Sequence, residues 1–95
     1  MKVHLQYVAI LRELTGTDNE TMELQDNSTL ADLVANVVSK YGEAAANTLF
    51  EKQTRAINLA LEFLVNGISV RDSVGPKMKL KEGDIVTLLY PIVEG

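Results

Sequence analysis

Side chains able to do chemistry are scarce in this chain. It contains no cysteine, which excludes thiolate nucleophiles, disulfides and cysteine-based metal sites. Its single histidine, His4, falls on the polar side of an alternating run and is read as a surface residue, since no second histidine could complete a metal site. Asp18, Glu20 and Glu23 are spaced as cation ligands could be, yet their polar surroundings fit a solvated loop edge better. Arg12 and Glu13, next to the apolar Leu11, read as either a docking element or a plain surface ion pair. What remains is the run Tyr90, Pro91, Ile92, Val93, Glu94 and Gly95, which stays apolar where chains normally fray into polar residues. It either closes a strand running from Ile85 to Val93 or forms a probe inserted into a partner that reads a C-terminal carboxylate. Pro91 cannot donate to a sheet ladder, so it marks the expected end of the strand and the start of a projecting tail over residues 90–95. Gly95, with no Cβ, would let a partner's backbone or a nucleotide come close.

The rest of the chain must position that run. Its 95 residues are expected to form one domain, with room for a sheet and a helix or two but not for a cleft walled on every side. Hydrophobic residues at 46% and charged residues at 23% are ordinary globular values and argue against disorder. A net charge of -4 makes nucleic acid a poor partner, because phosphate neutralisation supplies most of that affinity, and suits a partner with a basic docking face. No apolar stretch approaches the roughly 18 residues needed to cross a bilayer. At the start of the chain the apolar residues alternate with polar ones and Arg12 and Glu13 interrupt them, unlike a signal peptide. A soluble, cytoplasmic protein without a membrane partner is expected.

Val3, Leu5, Tyr7 and Ala9 alternate with Lys2, His4 and Gln6, the period of a half-buried strand. Ile10, Leu11 and Leu14 then take helical spacing up to Gly16, and Thr21 to Leu24 returns to strand character. Thr29 and Asp32 resemble a capping box ahead of Leu30, Leu33, Val34, Val37, Val38 and Tyr41, one continuous helical stripe ending at Gly42, where a left-handed cap belongs. Glu43 to Phe50 reads as a shorter helix and 51–58 as a loop. Leu61 to Val65 is apolar enough for a central strand covered on both faces, and Asn66-Gly67 predicts a tight hairpin into Ile68 to Val70. Residues 71–79 read as a loop, Lys81 to Asp84 as a turn and Ile85 to Leu89 as the last strand. Tyr7, Tyr41, Phe50 and Phe63 are assigned to the core. The expected fold is α+β, a mixed sheet of about four or five strands with one main helix across it. First and last strands side by side in the middle would make it a ubiquitin-like β-grasp.

Several stretches together carry a resemblance. Tyr7-Val8-Ala9-Ile10-Leu11-Arg12-Glu13-Leu14-Thr15-Gly16, Thr29-Leu30-Ala31-Asp32-Leu33, Lys40-Tyr41-Gly42, Leu64-Val65-Asn66-Gly67, Lys81-Glu82-Gly83-Asp84 and Tyr90-Pro91-Ile92-Val93-Glu94-Gly95 occur in this order over essentially the whole chain. In this, the sequence closely resembles the small subunit of molybdopterin synthase and its archaeal ubiquitin-like relatives. The resemblance implies a β-grasp sulfur carrier. It implies that the Gly95 carboxylate is adenylated by a ubiquitin-activating-type adenylyltransferase, which supplies ATP and zinc, and is then converted to a thiocarboxylate. It also implies a large synthase subunit, assembled with this one as a heterotetramer, that accepts the tail and moves its sulfur to a pterin precursor. No cofactor or metal is expected on this chain, and no self-contained active site.

Tyr90, Pro91, Ile92 and Val93 match the family's aromatic-Pro-Pro-Val run, with Ile92 in place of the second proline and a less stiff tail expected. Glu94 departs from the family's usual pair of terminal glycines by adding bulk and charge beside the reacting group. It fits a further glycine absent from this sequence, a wider channel in the partner, or loss of the chemistry. Leu64, Leu88 and Tyr90, on one exposed face, would form an apolar docking patch with Arg12 beside it. Besides the sulfur carrier, a ubiquitin-like modifier joined to target lysines and a non-conjugating binding module fit the same residues.

A projecting tail contributes little buried area. Deleting Val93 to Gly95 is therefore expected to leave the thermal unfolding midpoint unchanged, measured by circular dichroism. A strong drop would make the run an integral strand.

Overall fold

The computed structural model describes residues 1–51, 57, 61–70 and 77–89. The chain opens with strand β1 (Lys2–Tyr7), whose Val3, Leu5 and Tyr7 point into the core while Lys2, His4 and Gln6 face out. A short helix, α1 (Ile10–Thr15), is closed by Gly16, whose φ of 77° lets its N–H return to the Arg12 carbonyl at 2.9 Å. Strand β2 (Asn19–Glu23) begins two residues earlier than the sequence pattern placed it. Asn19 and Glu20 looked like loop because they are polar, yet Glu20 is accommodated on the inward face by hydrogen bonds described below.

The main helix, α2 (Leu30–Tyr41), starts at the expected box: the Thr29 hydroxyl accepts from the Asp32 N–H at 3.3 Å and the Asp32 carboxylate accepts from the Thr29 N–H at 2.9 Å. Leu30, Leu33, Val34 and Val37 are buried, and Val38 and Tyr41 pack at the core's margin. Gly42 has φ 82° but ψ -151°, so it is an extended joint and not the left-handed cap expected; it ends α2 and at once starts α3 (Glu43–Leu49). Ala45, Ala46 and Leu49 of α3 are buried.

Strands β3 (Glu62–Val65) and β4 (Ile68–Val70) form the predicted hairpin. Asn66 and Gly67 take φ 52° and 84°, the pair of positive values that a two-residue turn of this hand requires. The last strand, β5 (Ile85–Leu89), completes a five-stranded sheet of order β2-β1-β5-β3-β4. β1 and β5 are parallel and the other pairs antiparallel, so first and last strands lie side by side as expected. Of the expected loops at 51–58 and 71–79, residues 52–56, 58 and 71–76 lie outside the described residues. Phe50 and Ile57 form an isolated bridge, and Lys79 bridges to Thr29 at the start of α2.

One turn network fixes where β5 begins. The Asp84 carboxylate accepts from the Lys81 N–H at 2.8 Å and from the Asn66 side-chain amide at 3.0 Å, while the Asn66 carbonyl oxygen accepts from the Ile85 N–H at 2.9 Å. The Asp84 carbonyl accepts from the His4 N–H at 2.8 Å, tying the same turn to β1. Asp84 is among the few buried polar residues, and these bonds offset its desolvation.

The strand at 61–65 is interior, paired with β5 and β4, but the expectation that it is covered on both faces is corrected: β3 alternates half-buried Glu62 and Leu64 with buried Phe63 and Val65. Its apolar run misled because Leu61 is buried ahead of the strand and Leu64 is an apolar residue on the outer face. The inward faces of β1, β3 and β5 meet α2 in one continuous core.

Leu88 has no exposed surface, and Leu64 is half-buried on the other face. Leu88→Ala should cost about 2 to 5 kcal/mol of stability. Leu64→Ala should cost less than about 1.5 kcal/mol, the lower end for a partly buried side chain. Urea unfolding of both variants checks the ordering, and equal losses would contradict the assignment of faces.

Candidate functional site

The strand that leads into the terminal run is held on both sides. Along β5, Val86, Thr87 and Leu88 lie opposite Leu5, Gln6 and Tyr7 of β1 and opposite Val65, Leu64 and Phe63 of β3. At its far end the Val8 N–H donates to the Leu88 carbonyl at 3.3 Å, and Leu89 lies opposite Glu62. The candidate residues Tyr90, Pro91, Ile92, Val93, Glu94 and Gly95 follow directly and lie outside the described residues. The structure therefore fixes the point from which they depart, at the middle of the sheet and beside the turn from β1 into α1. That turn leaves Val8 39% and Ile10 47% exposed, although the sequence pattern grouped Ile10 with Leu11 and Leu14 as one helical apolar set. Val8 has the outward parity of the β1 alternation, and Ile10 opens α1, of which only Leu11 is buried.

The docking patch drawn from sequence does not form as expected. Leu88 lies opposite Phe63 and Leu64 opposite Thr87, and a one-residue offset on paired strands means opposite faces. Leu88 is core; Leu64 shares the outer face with Thr87, Leu89 and the 41% exposed Ile85. Arg12 is exposed and its ion pair is with Asp18 at 3.5 Å, across the loop, not with the adjacent Glu13. With both side chains largely solvated, that pair adds little stability. His4 is an exposed outer-face residue whose Nδ1 lies 3.1 Å from the Thr21 hydroxyl.

Glu20 is where the reading of a solvated acidic edge fails. Its side chain is only 11% exposed. It accepts from the Tyr7 hydroxyl at 2.7 Å, the Tyr41 hydroxyl at 2.5 Å and the Lys40 ammonium at 2.5 Å. The two tyrosine rings meet edge to face with centroids 6.4 Å apart. Burial works to raise the Glu20 carboxyl, but the bonds from Lys40, Tyr41 and Tyr7 outweigh it and hold the group below the usual glutamate range. Burial and then the Glu20 carboxylate push both tyrosines above the usual phenol range. Tyr7 is thus core, as expected, and Tyr41 and Phe50 lie at its margin.

Among the described residues no group of three or more His, Asp or Glu side chains is arranged to hold a metal ion. No described helix is long and apolar enough to cross a membrane.

The ThiS family model matches residues 5–95. Across its whole length the chain is 27% identical to the molybdopterin synthase sulfur carrier subunit of Drosophila melanogaster, covering 92% of that protein. Its structure is similar to that of small archaeal modifier protein 1 from Methanosarcina acetivorans, with TM-score 0.84, 25% identity, and 99% and 96% of the two chains covered. It is also similar to a chain of the BexX/CysO complex of Amycolatopsis orientalis, with TM-score 0.71, 26% identity, and 98% and 99% covered. The fold is the ubiquitin-like β-grasp, with a mixed five-stranded sheet. With a match that takes in all but the first four residues, the chain belongs to the ThiS family.

Proposed function

We propose that this chain is a sulfur carrier for molybdopterin synthesis, with the Gly95 carboxylate as its reacting group. The observation that supports this most is that the family match runs through residue 95, so the terminal run lies within the stretch that the family model matches. The likeness to a sulfur carrier subunit over the whole chain supports the pathway.

The chemistry follows from what the side chains lack. A carboxylate is a poor electrophile until an oxygen becomes a good leaving group, and this chain has no thiol on which sulfur could ride. Attack of the Gly95 carboxylate on ATP releases pyrophosphate and gives an acyl-adenylate; a sulfur nucleophile then displaces AMP to leave the thiocarboxylate. ATP and zinc belong to the adenylyltransferase partner. The large synthase subunit takes up Tyr90, Pro91, Ile92, Val93 and Glu94 as the threading tail and the sulfur passes to the pterin precursor. The exposed Arg12 and the half-buried, outward-facing Leu64 serve docking; the core residue Leu88 does not. The complex containing a similar chain fits a protein that works with a partner.

A second reading, a modifier joined through Gly95 to lysines of other proteins, is favoured by the likeness to a small archaeal modifier. It shares the adenylation step and differs in the nucleophile that displaces AMP.

The test incubates the protein, with and without one added glycine, with an activating enzyme, ATP and a sulfur donor. Intact mass is expected to show one terminal oxygen replaced by sulfur. Covalent adducts to lysate proteins in place of that product would select the modifier. No adenylate, thiocarboxylate or adduct from either version would leave a non-conjugating module and overturn the proposal.

A further inference from the structure

We propose that Glu20 is the bolt of an acid-released latch that fastens the edge strand β2 to the C-terminal turn of α2. Among the described residues β2 is outermost in the sheet and pairs only with β1. Of its residues, Glu20 and Met22 face inward; the buried Leu24 anchors the chain just after the strand, so at the Asn19 end the Glu20 bonds are what hold β2 against the helix layer. Those bonds reach two elements: Tyr7 at the end of β1, and Lys40 with Tyr41 at the end of α2. These are the titratable and charged groups that face the Glu20 carboxylate from the elements packed around it. Tyr41 is further fixed by its edge contact with Tyr7, and the Lys40 ammonium sits 5.5 Å above the Tyr41 ring.

The carboxylate form is what the arrangement fits. Both phenols donate to Oε2 and the ammonium donates to Oε1, so a proton on either oxygen removes an acceptor and the charge on which all three bonds depend. The folded state holds the Glu20 proton less tightly than the unfolded chain does. Its contribution is therefore complete above the ordinary glutamate value of 4.5 and is lost as pH falls through the lower value of the folded protein. Because no described strand lies on the outer side of β2, its release leaves the β1, β5 and β3 ladders paired. Local opening at one sheet edge is the expected result.

Native-state hydrogen exchange across the acid range, corrected for intrinsic rates, tests this in the wild type, Glu20→Gln and Tyr41→Phe. At neutral pH Glu20→Gln is expected to speed exchange of the amides of residues 20 and 22, the two of β2 that face β1, by about tenfold or more, with Phe63, Val86 and Leu88 unaffected. The gap to wild type should close as pH falls through the Glu20 titration. Tyr41→Phe, which keeps the ring and removes one donor, should give a smaller increase at the same amides and decides the matter if Glu20→Gln fails to fold. Unchanged β2 exchange at neutral pH, a gap that does not vary with pH, or equal acceleration in every strand would each overturn the latch.

Discussion

Everything in this structure depends on pairing the two ends of the described chain in parallel. β1 and β5 meet in register from His4 opposite Ile85 to Tyr7 opposite Leu88, so the core cannot close until almost the whole sequence is in place. Loop-closure entropy opposes so long-range a pairing, and local devices offset it. The Asn66 and Asp84 side chains bind the hairpin turn to the turn ahead of β5, and the His4 N–H binds that turn to β1. α2 then covers the inward face with Leu30, Leu33, Val34 and Val37. The strand best secured on both sides is also the one that runs on into the candidate reacting segment.

Much of this was legible in the residues because local rules and the global fold agree. The stripe and capping box of α2, the Asn66-Gly67 hairpin, the alternation of β1 and the order of elements each rest on a short-range signal, and each is present. The sequence misled where a tertiary partner changes the meaning of a residue. Glu20 looked solvated because its partners, Tyr7, Lys40 and Tyr41, are far apart in sequence. Leu64 and Leu88 looked alike as leucines beside the tail, but strand parity and the β3 to β5 register send them to opposite faces. Gly42 was correctly marked as a stop, while its ψ depends on how closely α3 follows. Of the candidate site, the carrying strand is placed and Tyr90 to Gly95 lie beyond the described residues.

The division of labour that follows is unusual only in where it puts the reactive group. A domain of this size has little room for an enclosed site, and a cysteine-free chain has no side chain suited to carrying sulfur. In the proposed function the chemistry sits on the main-chain carboxylate, and the folded part would serve as a handle. A net charge of -4 suits partners with basic faces, while Glu94 adds a negative charge beside the group proposed to meet an anionic nucleotide. A partner that accepts Glu94 must offset that charge.

The central claim is that the terminal carboxylate is the reacting group and the folded domain only presents it. Pyrophosphate release from ATP by an activating enzyme should be compared for the protein with a free terminal carboxylate and for the same protein ending in a carboxamide. Turnover with the carboxylate and none with the carboxamide, at equal thermal stability, is the predicted result. Equal turnover with both forms would contradict it.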